Sequence, residues 1–270
     1  MADAHGATRY LEDSIADDWM RAVLRSIGVM RENLGNDHSL RTLAEVAWLS
    51  PFHFHRVFHR VTDSTPARFL AAWRMAEAKR LLAFSPDSVT DICMRIGYSS
   101  LGTFTSQFTR MVGVSPGRFR RLLAARGDRP FNDTLAALGG RLGGPARVQL
   151  TVAVSGGPVA PVAVGLFPTG IPQQQPAACA VVWTPGSAAL GDLPDGVYHP
   201  LAMCFDPAVT VAEAAAMTDL DGCFVAAADD VVSIVDGCAA SAAAVPLRLR
   251  PRRQTDPPVV LALPLLLEAA

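Results

Sequence analysis

Three histidines and two arginines crowd one short stretch, where His53, His55, Arg56, His59 and Arg60 interrupt an otherwise apolar segment. His55 and His59 stand four residues apart, the spacing that puts two imidazoles on one face of a helix and that metal sites exploit. The same residues serve as polar contacts to an anionic partner. An unperturbed imidazole titrates at about pH 6.5 and then attracts negative charge, and a guanidinium donates two parallel hydrogen bonds to a matched acceptor pair. We read the cluster in this second way and assign no metal ligand. The remaining reactive residues are Cys93, Cys179, Cys204, Cys223 and Cys238. Their odd number and the lack of a CxxC pair fit reduced thiols packed as small apolar side chains. The second half of the chain has one histidine, His199, and neither a nucleophile motif with a recognisable base nor a phosphate loop, so no catalytic residue and no cofactor is assigned.

The elements that hold the basic cluster are helical. Leu40, Leu43, Ala44 and Ala47 recur at i, i+3, i+4, i+7 and make one apolar stripe. Ser50 and Pro51 then signal a new helix start, the hydroxyl capping free amides and the proline sitting where no N–H is needed. In that helix Phe54, Val57, Phe58 and Val61 form the stripe, leaving Phe52, His55, Arg56, His59 and Arg60 to point away from it. Trp48 is expected in the core and Phe52 outside it. A long helix follows from Pro66 to about Phe84. A second short pair follows, with Val89, Ile92, Cys93 and Ile96 in its first stripe and Phe104, Phe108 and Met111 in its second. Two short helices separated by a tight break suggest a helix-turn-helix unit, here twice.

The duplication is visible as a repeat at an offset of 50 residues. Ser50, Phe54, Phe58, Arg60, Pro66, Arg68 and Phe69 recur as Ser100, Phe104, Phe108, Arg110, Pro116, Arg118 and Phe119, each pair with the same job in its unit. Charge follows the same division. Residues 1–129 carry 18 Lys+Arg against 13 Asp+Glu and the remainder 6 against 12, so the near-neutral total of −1 hides halves of +5 and −6. Within His38–Arg129 the balance is 14 to 6, an excess that can neutralise phosphates.

These residues, SLRTLAEVAWLSPFHFHRVFHRVTDSTPARFLAAWRMAEAKRLL and VTDICMRIGYSSLGTFTSQFTRMVGVSPGRFRR, resemble the DNA-binding domain of the AraC/XylS family of bacterial regulators over roughly Asp18–Arg121. The resemblance implies a seven-helix domain whose first helix covers Asp18–Leu34, and a double-stranded DNA partner. The second helix of each unit would read bases in successive major grooves about 34 Å apart. It also implies a contact set: Phe52, His53, His55, Arg56, His59 and Arg60 in the first unit, and Ser99, Ser100, Leu101, Gly102, Thr105, Ser106, Thr109 and Arg110 in the second. Arg56 is the strongest reader, because a guanidinium matches guanine O6 and N7 at about 1–3 kcal/mol of discrimination. Ser106 stands where a longer polar side chain would inform more, so the second unit is expected to lean on thymine methyl contacts from Leu101 or Thr105, on backbone contacts, or on DNA shape. Asp63 replaces the turn glycine that Gly113 keeps, at an expected strain of a few tenths to about 1 kcal/mol.

The full reading is an α + β multidomain chain. An all-α tandem helix-turn-helix domain spans residues 10–127, a linker at 128–146 contains FNDTLAALGGRLGGPA, and an all-β antiparallel sandwich domain of seven or eight strands spans 147–270. The strands are read in VQLTVAV, PVAVGLF, ACAVVWT, YHPLAMCF, CFVAAA, VVSIV, AVPLRLR and VVLALPL. The phrase LGDLPDGVYHPLAM resembles the turn-and-strand signature of prealbumin-like or carboxypeptidase-regulatory-like domains. A domain joined to a DNA reader senses a small-molecule effector, promotes oligomerisation or contacts RNA polymerase, and these alternatives stay open, as does a thiol sensor or enzyme addressed by the DNA-binding half. No apolar run of about 20 residues could span a bilayer, and the N-terminus lacks a secretory pattern. Both point to a cytoplasmic protein without a membrane partner.

Overall fold

The computed structural model describes residues 3–139, 142, 144–145, 147–216, 222–240 and 243–262, with side chains from Ala16 onward. Seven helices come first: α1 (Asp3–Glu32), α2 (Leu40–Ala47), α3 (Pro51–Thr62), α4 (Pro66–Phe84), α5 (Val89–Arg95), α6 (Leu101–Val112) and α7 (Pro116–Arg126). Short polar caps start six of them. Ser50 Oγ accepts from His53 N and Ser100 Oγ accepts from Thr103 N, both at 3.4 Å, so the two equivalent helices begin on the same bond. Ser88 and Asp91 form a reciprocal capping box at the head of α5.

The aromatic repeat becomes two matching ring stacks. Phe54, Phe58 and Phe69 meet edge to face at centroid separations of 5.5 and 5.4 Å, and Phe104, Phe108 and Phe119 repeat this at 5.7 and 5.8 Å; all six are fully buried. Helix α4 lies between the units and buries opposite flanks. Phe69, Leu70 and Trp73 enter the core of the first unit, while Ala72, Met75, Ala78, Leu81 and Leu82 enter that of the second.

Beyond α7 the chain forms α8 (Phe131–Gly139), β1 (Val148–Ser155), β2 (Pro161–Phe167), β3 (Ala178–Trp183), β4 (Gly186–Gly191), β5 (Gly196–Phe205), α9 (Val211–Ala216), β6 (Cys223–Ala227), β7 (Val232–Val235), β8 (Cys238–Ala239), β9 (Val245–Arg248) and β10 (Arg250–Pro251). A three-stranded sheet runs β4-β1-β9 and a larger one β10-β6-β5-β2-β3, with β7 paired to β5 and β8 to β7. The sheets share a core in which Leu150, Val152 and Val154 of β1 join Val162, Val164 and Leu166 of β2. The outer face of the larger sheet is covered by α8, α9 and the chain's last described residues, around Phe131, Leu135, Ala163, Phe205 and Val259.

Several expectations change. The segment read as a linker at 128–146 holds α8, because Phe131, Leu135 and Leu138 at i, i+4, i+7 bury one helical stripe. β4 was hidden by its small residues, GSAALG, and α9 by its six-residue length, although Thr210 and Glu213 carry a capping-box signature. One pairing, β1 with β9, is parallel. Val259–Ala262 is no strand: Val260 and Ala262 pack into the core of the helical half, and the rest of VVLALPL, from residue 263 on, lies outside the described residues, as does the end of the expected sandwich domain. Trp48 is 81% exposed. It caps α2 in a left-handed conformation (φ 59), and its side chain turns outward while Ala44 and Ala47 fill the core.

The halves are joined by shared packing. Ile171, Val211, Ala215, Val260 and Ala262 belong to the same buried cluster as Met75, Phe108 and Met111. Lys79 of α4, 1% exposed, donates to the carbonyl of Val259 at 2.8 Å.

Candidate nucleic-acid interface

The buried faces of α3 and α6 fix what their outer faces present. In α3, Phe54, Val57 and Phe58 point inward, and Phe52, His55, Arg56, His59 and Arg60 are exposed, Phe52 to 81%. Arg60 lies 5.3 Å over the ring of Trp19, which ties it back to α1. His53 departs from the expected set. It is half-buried, edge-on to Trp19 at 6.3 Å, and its Nε2 has no hydrogen-bond partner among the described residues.

Helix α6 presents Leu101, Gly102, Ser106, Thr109 and Arg110, with Ser99 and the N-cap Ser100 also exposed. Thr105 is half-buried, and its carbonyl accepts from Thr109 Oγ1 at 2.7 Å. Arg110 is paired with Gln107 Oε1 at 2.6 Å. The two outer faces therefore differ in chemistry: imidazole, guanidinium and phenyl on α3, hydroxyl and aliphatic groups with a single guanidinium, Arg110, on α6.

Not all of the positive charge in the helical half is available to a polyanion. Arg74 donates to the carbonyls of Leu34 and Asn36, and Arg120 to those of Leu82, Ser85 and Asp87. Each closes a chain segment whose carbonyls lack helical partners. Arg41, Arg80 and Arg95 pair with Glu45, Glu77 and Asp87. Arg56 stands apart from these structural uses, exposed near the middle of α3.

A further candidate escaped sequence reasoning. Trp48 projects from the α2–α3 turn with the Arg25 guanidinium 4.4 Å over its ring, and Arg25 also donates to Ala47 O at 3.1 Å. The available signal was positional: tryptophan occupies the left-handed cap where a glycine is the easy choice.

Among the described residues no group of three or more His, Cys, Asp and Glu side chains could hold a metal ion. None of the described helices is long and apolar enough to cross a membrane.

The sequence profile of the family described as "Helix-turn-helix domain" matches residues 43–122. The HTH-type transcriptional regulator Rv1931c of Mycobacterium tuberculosis is 35% identical over 97 residues, covering 36% of this chain and 38% of that protein. The melibiose operon regulatory protein of Escherichia coli is 29% identical over 104 residues, covering 38% and 34%. The chain thus spans less than two fifths of either relative. Among solved structures, the DNA-binding domain of AdpA, the global transcriptional factor, in complex with a target DNA, is 31% identical and covers 38% of this chain and 93% of that one, with a TM-score of 0.37. Residues 43–122 carry a helix-turn-helix domain, and relatives similar to the chain over this region are named as transcriptional regulators.

Proposed function

We propose that this chain is a cytoplasmic, sequence-specific DNA-binding regulator of transcription that lays α3 and α6 in two successive major grooves of one duplex. The observation carrying this reading is the duplicated scaffold: the same cap and the same buried phenylalanine stack underlie two helices whose opposite faces are exposed. Arg56 reads guanine, with His55 and His59 beside it, while Phe52 and Trp48 offer apolar surface to sugars or thymine methyls. Arg110 and the α6 hydroxyls hold the backbone and report on DNA shape more than on base identity. The β half serves as an effector-sensing module. Three of its thiols are poor candidates for a sensor, since burial pushes Cys204 up to about 11 and Cys223 up to about 12 and raises Cys179, leaving little reactive thiolate at these positions, whereas Cys238 is exposed beside Arg147.

Selection of bound sequences from a random duplex library tests the reading. The full chain is the right reagent because Val260 and Ala262 complete the core of the second unit. Two short motifs about one helical turn apart are expected. Arg56→Ala should lose affinity mainly for sites carrying the preferred guanine, and Arg110→Ala should weaken all sequences alike and lower the salt slope by about 1. Equal losses on specific and random DNA for both variants would overturn the assignment of roles.

A further inference from the structure

A cavity of about 110 Å³ lies under the outer face of the larger sheet. One wall is a row of facing residues on three adjacent strands, Ala163, Met203 and Val225. Phe131 of α8 and Ala215 of α9 form part of the opposite wall. Two irregular segments flank it: the loop after β2, through Gly170 and Pro172, and the segment with Val259, Leu261 and Ala262.

Both flanking segments also hold the ends of the two exposed helices. The amide of Gln174 donates to Met111 O at 2.9 Å and that of Ala262 to Val112 O at 3.2 Å, so the β half caps the carbonyl end of α6. At the end of α3, Asp63 Oδ2 lies 3.2 Å from His199 Nδ1, and a Cβ on Gly170 would stand only 2.6 Å from the same oxygen. Leu261 lines the cavity, and its neighbour Val260 is buried in the core of the second unit. The amides of Val260 and Leu261 both donate to Pro172 O, which links the two segments to each other.

From this arrangement we infer that the cavity is a ligand site for a small, neutral, apolar molecule of about the size of a single aromatic ring, and that its occupancy braces the segments that cap α6 and pack against the end of α3. Size sets the scale, since an apolar cavity of about 150 Å³ stays dry and accepts benzene. Charge sets the class. The charged side chains at the lining, Arg250 and Asp256, neutralise each other through two bonds of 2.7 and 2.8 Å, so a charged ligand would be desolvated without a counter-charge. The inference rests on the proposed DNA-binding reading only for what the signal does, not for whether the site exists.

The test therefore uses the full chain without DNA, with toluene as probe and benzoate as its charged counterpart. Toluene at about five times its dissociation constant should raise the melting temperature by about 2–4 °C, with a further rise that follows the logarithm of its concentration, and benzoate should not. Ala163→Leu, which fills the cavity, should abolish the shift. Should that variant not fold, Ala214→Leu fills the same space from α9. Hydrogen exchange at the Gln174 and Ala262 amides should slow at least about threefold with toluene bound. Absence of saturable toluene binding, equal binding by a filled variant, or equal binding of benzoate overturns the site. Binding that leaves both amides unchanged overturns the coupling to the helical half. A protein that passes these tests yet selects no DNA sequence would refute the DNA-binding reading alone.

Discussion

The two helix-turn-helix units are the same object inside and different objects outside. Their caps, phenylalanine stacks and following prolines match residue for residue at an offset of 50, while the outward residues of α3 and α6 share only Arg60 and Arg110. Even these are used differently, one against Trp19 and the other bonded to Gln107. A duplicated core constrains shape, and shape alone leaves the outer face free to diverge. The turns show how far that freedom goes. Asp63 sits at φ 51, a left-handed position that aspartate tolerates, whereas Gly113 sits at φ 98, where a Cβ is strained.

The equivalence of the cores is broken most directly by truncation. Phe58→Ala and Phe108→Ala should each cost about 3–5 kcal/mol in urea denaturation. A large cost at one and little at the other would mean that the units are not equivalent supports.

The shared helix between them supplies a pH signature. Burial, then the nearby Arg252 charge, lowers Lys79 to about 7 from its ordinary 10.5. Between these values the unfolded chain binds a proton that the folded chain does not, so stability should rise as pH climbs from 7 towards 10.5, its contribution being fully lost below 7. Lys79→Met should remove that slope in unfolding measurements across the window. A slope that persists would assign it to another group.

The outer faces are separated by Arg56→Ala against Ser106→Ala in binding to a selected site. About 1–3 kcal/mol of guanine discrimination should go with the first, and less than about 0.5 kcal/mol with the second. Comparable losses would make the second unit an equal reader. The smallest expected contrast lies in the turns. Gly113→Asp should destabilise by about 1–2 kcal/mol. Asp63→Gly should stay within about 0.5 kcal/mol, because the relief of strain is offset by the loss of an exposed contact with His199. A large loss on Asp63→Gly would show that this contact holds the halves together.

The helical half was legible because its signals are local. A serine cap, a proline at the first turn and apolar residues at i, i+3, i+4, i+7 all act within a few residues, and the offset-50 repeat doubled each of them. His53 and Trp48 misled for the complementary reason. His53 sits where α1 happens to bring Trp19 against α3, and Trp48 faces outward because its backbone takes a left-handed turn, neither of which periodicity expresses. In the β half most strands were visible as runs of β-branched residues, yet GSAALG was too small and Val259–Ala262 too apolar to be told apart by pattern. Whether an apolar run becomes a strand or a buried tail depends on which surface it meets.

By itself, then, the sequence determined two equivalent helical scaffolds, the polarity of their outer faces and a second half rich in strands, since caps, stripes and turns are short-range and additive. Only the tertiary structure decided that the β half caps α6 and meets the end of α3, that Arg74, Arg120 and Lys79 serve backbone carbonyls, and that a cavity lies behind the capping segments. Those outcomes depend on contacts between residues far apart in the chain, such as Lys79 with Val259 and Asp63 with His199, where no local pattern records the partner.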